Sequence, residues 1–215
     1  MAELDEFREA KERGLDRILA LSDGVFAFAL TLLALDLAVP ALAPNQDVSM
    51  LPGLLAGEWS GFFSYFLSFA MIAVWWNNHQ HYFEYVKGYD GNLKALNLLT
   101  LLTITLIPYF TKLLNEWVAS PAAVSLYATN QGATATFLAL TWRYITKKPQ
   151  FIGGRLDQKT VDRMRITGTI PAVVFFLSIP LAYIGFFFFA TPQVAWIIWY
   201  AIFPISYFAR RKYSR

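Results

Sequence analysis

The chain has no cysteine among its 215 residues, two histidines, and only 15% Asp, Glu, Lys and Arg. Each shortage removes a class of protein. Without cysteine there are no disulfides, no thiolate metal sites and no cysteine nucleophile, and the redox compartment leaves no mark on the composition. His79 and His81 stand about 200° apart round a helix, so they cannot chelate one ion from a single face. A soluble helical protein carries about a quarter of its residues as charges, alternating with its apolar faces. Here the charges gather in a few clusters separated by long uncharged runs. The first sixteen residues are charged and no small-residue cleavage pattern follows the first apolar run, so that run is expected to stay in the mature protein. What remains is 56% apolar and 17% aromatic, the composition of an all-α integral membrane protein.

Residues 1–16 mix acidic and basic groups at helical spacing and read as a solvated helical lead-in. Six spans, each near the ~20 residues needed to cross hydrocarbon, are expected at about 15–39, 58–85, 93–114, 121–145, 166–190 and 193–208, making 1–215 a single six-helix unit. Pro40 and the loose stretch 40–53 stop the first span, and a basic linker over 146–165 separates the fourth from the fifth. Seventeen of the eighteen Lys and Arg residues fall on one side of this arrangement, with Lys112 alone on the other. The positive-inside rule then places both termini in the cytoplasm of a multi-pass protein of the cell (plasma) membrane. The basic rim accounts for the excess positive charge without a nucleic-acid partner and favours anionic lipid.

The segment 17–36, RILALSDGVFAFALTLLALD, holds the anomaly: Asp23 lies inside an apolar span, where a carboxylate is costly unless it faces protein or water. At 100° per residue, Leu21, Val25, Phe28, Leu32, Leu35 and Val39 fall within about 60° of one direction, while Asp23 lies roughly 140° from Phe28. One helix thus carries an oily stripe and, behind it, a polar cluster of Ser22 and Asp23 with Arg17 below. If neighbouring helices hold Asp23, the stripe faces lipid or a cavity. Asp23, His79 and Asn97 share one depth in the first three spans, and a mutual hydrogen-bond network is the least costly way to bury the polar groups there. Such a network serves either to clamp the first helix in rotation or to relay protons.

No hydrolase elbow appears, Gly153-Gly154 is too short to cradle phosphate, and Ser22 lacks an oriented base, so neither an enzyme nor a cofactor is indicated. Asp36, near the outer end of the first span, is placed either to attract cations at a mouth or to cap the helix against solvent.

The segment 17–36 resembles the first-helix signature of the transmembrane protein 175 family, potassium-permeable channels of endosomes and lysosomes with bacterial relatives, whose motif runs Arg, three residues, Phe-Ser-Asp. WWNNHQHYF at 75–83 is similar to the family's Trp, two residues, His, here Trp76 and His79, and 96–110 is similar to its third-helix Leu-Asn and Pro-Tyr pattern. One six-helix unit resembles the bacterial form, a homotetramer. The resemblance implies that four first helices line a central pore, with Phe28, Leu32 and Leu35 as its narrow part and Thr31 beside it, helping to discriminate potassium from sodium. The polar network of Arg17, Ser22, Asp23, Trp76, His79 and Asn97 is expected to hold the first helix and set its rotation. Leu21 replaces the motif Phe, and Phe28 stands where Ile or Leu is usual. The function so implied is a weakly selective potassium-permeable cation channel with a hydrophobic constriction, its partners being potassium, other monovalent cations, the bilayer and its own copies. Its rivals are a proton-coupled carrier loading protons on Asp23 and His79, and a structural membrane protein without transport.

Overall fold

The computed structural model describes residues 2–41, 47–153 and 156–192, together with positions 195, 198, 199 and 202. The described chain is helical: α1 Ala2–Leu35, α2 Leu51–Gly57, α3 Trp59–Phe83, α4 Gly91–Glu116, α5 Pro121–Thr146 and α6 Gln158–Phe189, with one-turn 3-10 helices at Val48–Met50 and Pro149–Phe151. Among the described residues four helices are long and apolar enough to cross a membrane: Lys11–Leu35 within α1, then α3, α4 and α6. Most of the expected span at 193–208 lies outside the described residues, as do Arg155 and the basic residues from Arg210 onward.

Capping chemistry sets the helix starts. Asp90 accepts from the Leu93 N–H (2.9 Å) to begin α4. Asp157 accepts from the Thr160 N–H and hydroxyl (2.6 and 2.8 Å), so α6 begins at Gln158, eight residues before the expected start, and takes up part of the basic linker. The stretch read as a loose loop contains α2, entered through Asp47, whose carboxylate accepts from the Ser49 N–H (3.2 Å). α1 stops at Leu35, short of the expected 39, and its end tightens through a bond from the Leu37 N–H to the Ala34 carbonyl (3.3 Å). The lead-in is continuous with it.

α1 packs on α3 and α4, α4 on α5, and α5 on α6. α5 is as long as its neighbours, but Ser, Thr, Asn and Gln dilute its hydropathy, and it directs many of them inward: Asn130, Gln131, Thr134 and Thr141 are buried. Trp75 Nε1 donates to Gln131 Oε1 (2.8 Å), Asn130 Nδ2 donates to the Thr103 carbonyl (3.1 Å), and Thr111 donates to Ser68 (2.7 Å), which shares a bond with Tyr127 (3.1 Å). Polar groups satisfied by neighbouring helices are how a bundle carries such a sequence away from water.

At one end of the bundle the chain is stapled twice. Lys87 N–H donates to Phe151 O (2.7 Å) and Gly153 N–H to Tyr85 O (3.1 Å), around the Val86–Ile152 bridge. Beside it, the Asp90 carboxylate accepts from Lys148 Nζ and the Tyr144 hydroxyl, both at 2.6 Å. Partial desolvation pushes the Asp90 carboxyl up, but the bonds from Lys148, Tyr144 and the Leu93 amide outweigh it and hold the carboxyl well below the usual carboxylate range. Because its folded value is depressed, Asp90 contributes stability that is fully present above about pH 4, the unfolded value, and is lost as pH falls toward the folded one. α3 and α6 meet at Gly168, where a Cβ would collide with the hydroxyl of Tyr82, whose ring stacks on Trp142 (5.1 Å between centroids).

Two outcomes are expected in thermal unfolding of the detergent-solubilised protein. Asp90→Ala costs about 1 kcal/mol at pH 7 through loss of the cap, and this deficit narrows below pH 4. Gly168→Ala costs about 1–3 kcal/mol by overpacking, and Tyr82→Phe added to it recovers part of the loss because the hydroxyl is what collides.

Candidate functional site

α1 has two faces. Leu15, Ile18, Ser22, Phe26, Ala29 and Leu33, at helical spacing, are buried against α3 and α4. On the opposite side Leu21 is 52% exposed, Phe28 62% and Leu35 79%, with Val25 and Leu32 half-buried, while Val39, expected on the same stripe, lies beyond the end of the helix. The oily stripe is therefore bare in the single chain. Thr31 is also exposed on this side, and its hydroxyl donates to the Phe28 carbonyl (2.8 Å), which leaves its oxygen able only to accept.

On the buried face, the Ser22 hydroxyl donates to the Ile18 carbonyl (2.8 Å), and its oxygen accepts from Asn97 Nδ2 (3.0 Å). This turns Asn97 Oδ1 toward His79 Nε2 (2.8 Å). An amide oxygen can only accept, so His79 is the Nε2–H tautomer and donates. Its ring lies between Phe26 (5.5 Å) and Phe83 (4.5 Å), and its Nδ1 is buried without a hydrogen-bond partner. Ser22, Asn97 and His79 thus tie α1, α4 and α3 at one level.

Asp23 belongs to a second, outer cluster. Its Oδ1 accepts from Trp76 Nε1 (3.0 Å) and from the Gln80 amide. The residue is exposed in the single chain, at the rim of the buried face rather than within it, which corrects the expectation of a carboxylate enclosed by neighbouring helices. Beside it, Phe26, Ala27, Leu30 and Trp76 line a mostly apolar cavity of about 300 Å³. Gln80 was missed from sequence; the signal was its position one turn after Trp76, which puts both on the face that meets Asp23. Arg17 is not gathered with the others. It is exposed, about 120° round the helix from Asp23, and among the described residues no side chain bonds its guanidinium. At the far end of the stripe Asp36 faces Lys112 of α4 at 3.8 Å.

The arrangement holds a helix at a set rotation by polar bonds on one side and presents a continuous apolar ridge on the other. Among the described residues no group of three His, Asp or Glu side chains is placed to hold a metal ion.

Comparison with known proteins fits this geometry. The family model for the endosomal/lysosomal potassium channel TMEM175 matches residues 17–108, which contain α1 from Arg17 onward, both polar clusters and most of α4. A potassium channel of Streptomyces collinus is 33% identical over 174 residues, covering 79% of this chain and 82% of that protein. A potassium channel of Chamaesiphon minutus is 34% identical over 160 residues, covering 73% of this chain and 77% of the other. The crystal structure of a lysosomal potassium-selective channel TMEM175 homolog from Chamaesiphon minutus superposes with a TM-score of 0.74 at 25% identity, over 95% of this chain and all of that one. Sequence similarity along most of both chains and a shared helical architecture agree: this chain belongs to the endosomal/lysosomal potassium channel TMEM175 family.

Proposed function

We propose that this protein is one subunit of a potassium-permeable cation channel of the cell membrane, a homotetramer of six-helix units spanning 1–215, with the sixth helix at 193–208 and both termini in the cytoplasm. Four copies of α1 line the pore. Phe28, Leu32 and Leu35 form stacked apolar rings, and Thr31 sits beside them. The observation that carries this reading is the bare ridge of α1. Tied on its buried face through Ser22 to Asn97, this helix leaves Phe28 and Leu35 62% and 79% exposed, without a covering partner among the described residues. Relatives that align along most of the chain are named potassium channels.

A ring of such side chains offers no charge and no carbonyl cage. It gates by drying and selects by demanding partial dehydration. Potassium sheds water at lower cost than sodium, so a weak potassium preference follows. From residue 28 to 35 the rings extend over about 10 Å at 1.5 Å rise per residue, long enough for a dry plug. Opening requires α1 to tilt or turn. The Ser22, Asn97 and His79 bonds, with Asp23 held by Trp76 and Gln80, oppose that turn. A proton-coupled carrier would route protons between Asp23 and His79, but the two have separate partners and share no hydrogen bond.

In liposome flux assays, Phe28→Ala and Leu35→Ala are expected to raise potassium efflux on the order of tenfold, a barrier drop of about 1.4 kcal/mol. Flux that stays linear in potassium and independent of a proton gradient fits the channel. Unchanged efflux in both variants, or saturating proton-driven flux, contradicts it.

A further inference from the structure

On the outside of the bundle, between α5 and α6, a groove of about 500 Å³ runs from two arginines into an apolar trough. Arg143 of α5 and Arg165 of α6 stand at its mouth; Ile166, Ile170 and Val173 form the trough, with Thr169 between. These α6 positions lie on the side opposite the buried Met164, Gly168 and Phe175. Trp199, one of the last described positions, rests on Phe175 (5.6 Å between centroids), so it approaches α6 from the other side. α1 packs on α3 and α4, which sets its ridge apart from this groove.

The two arginines are under-used. Arg143 is exposed and pairs with no carboxylate among the described residues; Arg165 reaches Asp162 at 3.9 Å, with both side chains substantially exposed. Arg143 is three residues from the end of α5, and Arg165 is about 10 Å along α6 from its start at 1.5 Å per residue. Both guanidiniums can therefore snorkel to head-group level while the trough extends into the hydrocarbon. A planar guanidinium matches phosphate with paired hydrogen bonds, and a basic pocket between membrane helices selects anionic head groups.

We propose that this groove is a binding site for one anionic glycerophospholipid, its phosphate between Arg143 and Arg165 and an acyl chain along Ile166, Ile170 and Val173. One guanidinium comes from each helix, so the bound phosphate bridges α5 and α6, while the acyl trough belongs to α6. The site rests on the orientation proposed above only in assigning the lipid to the cytoplasmic leaflet.

Native mass spectrometry of the full-length protein in detergent, titrated with phosphatidylglycerol or with phosphatidylcholine of the same chains, tests it. The wild type is expected to retain one phosphatidylglycerol per chain in preference to phosphatidylcholine. Arg143→Gln with Arg165→Gln lowers phosphatidylglycerol affinity about ten- to thirty-fold. Lys87→Gln with Lys147→Gln removes the same charge outside the groove and leaves binding unchanged. Val173→Trp, which keeps both arginines and fills the trough, also displaces the lipid. Equal retention of both lipids by the wild type, or wild-type phosphatidylglycerol binding in the double arginine variant, overturns the site. Micellar binding is blind to sidedness, so orientation is read separately: Lys147→Cys should resist a membrane-impermeant maleimide on intact cells, and labelling there contradicts the orientation without touching the lipid site.

Discussion

The hydrogen bonds joining Ser22, Asn97 and His79 are the constraint on which the remaining architecture turns. All three residues are buried, at 0–2% exposure, where an unpaired polar group costs about 1–3 kcal/mol. A rotation of α1 breaks the Ser22–Asn97 bond and leaves the buried Asn97 amide without that partner. Ser22 and Phe28 are about 120° apart on one helix. Locking Ser22 to Asn97 therefore also aims Phe28, Leu32 and Leu35 away from the bundle. Polar bonds on one face decide what an apolar face six residues along can meet.

α5 and α6 do different work. Trp142 stacks on Tyr82, Gln131 accepts from Trp75, and Gly168 lets α3 approach α6, so the far side of the bundle is knit by aromatic contacts and a buried side-chain hydrogen bond. The Val86–Ile152 bridge and the Asp90 cluster tie the connections between α3, α4, α5 and α6 at one end. α1 is outside this staple, held by its two small polar clusters, and so is the helix whose position responds most readily when those clusters change.

Periodicity made the ridge of α1 legible, because six apolar residues at 3.6 spacing leave little choice of face. The matched depth of Asp23, His79 and Asn97 suggested a single network, whereas His79 and Asn97 join Ser22, and Asp23 bonds separately to Trp76 and Gln80. Other features depend on geometry that spacing does not carry. Arg17 belongs to the same helix as Asp23 but leaves it on another side, and counting residues along the chain hid the 120° between them. Gln80 reaches Asp23 because α3 crosses α1 at a particular angle, which no single-helix pattern encodes. The early start of α6 came from a cap, Asp157 with Thr160, inside a stretch whose charge made it look like linker. α5 reads as only marginally apolar because of its Ser, Thr, Asn and Gln content, and the pairing of Gln131 with Trp75 and of Asn130 with the Thr103 carbonyl is not visible in its own sequence.

The central claim is that the exposed ridges of identical α1 helices face one another on an axis. Because the chain has no native cysteine, Leu35→Cys supplies a single thiol on that ridge. Disulfide formation requires Cβ atoms within about 4.5 Å, so oxidation with copper phenanthroline in native membranes reports direct approach. The account predicts a covalent species of twice the chain mass for Leu35→Cys and none for Leu177→Cys on the outer face of α6. A monomeric Leu35→Cys under conditions that cross-link Leu177→Cys would contradict it.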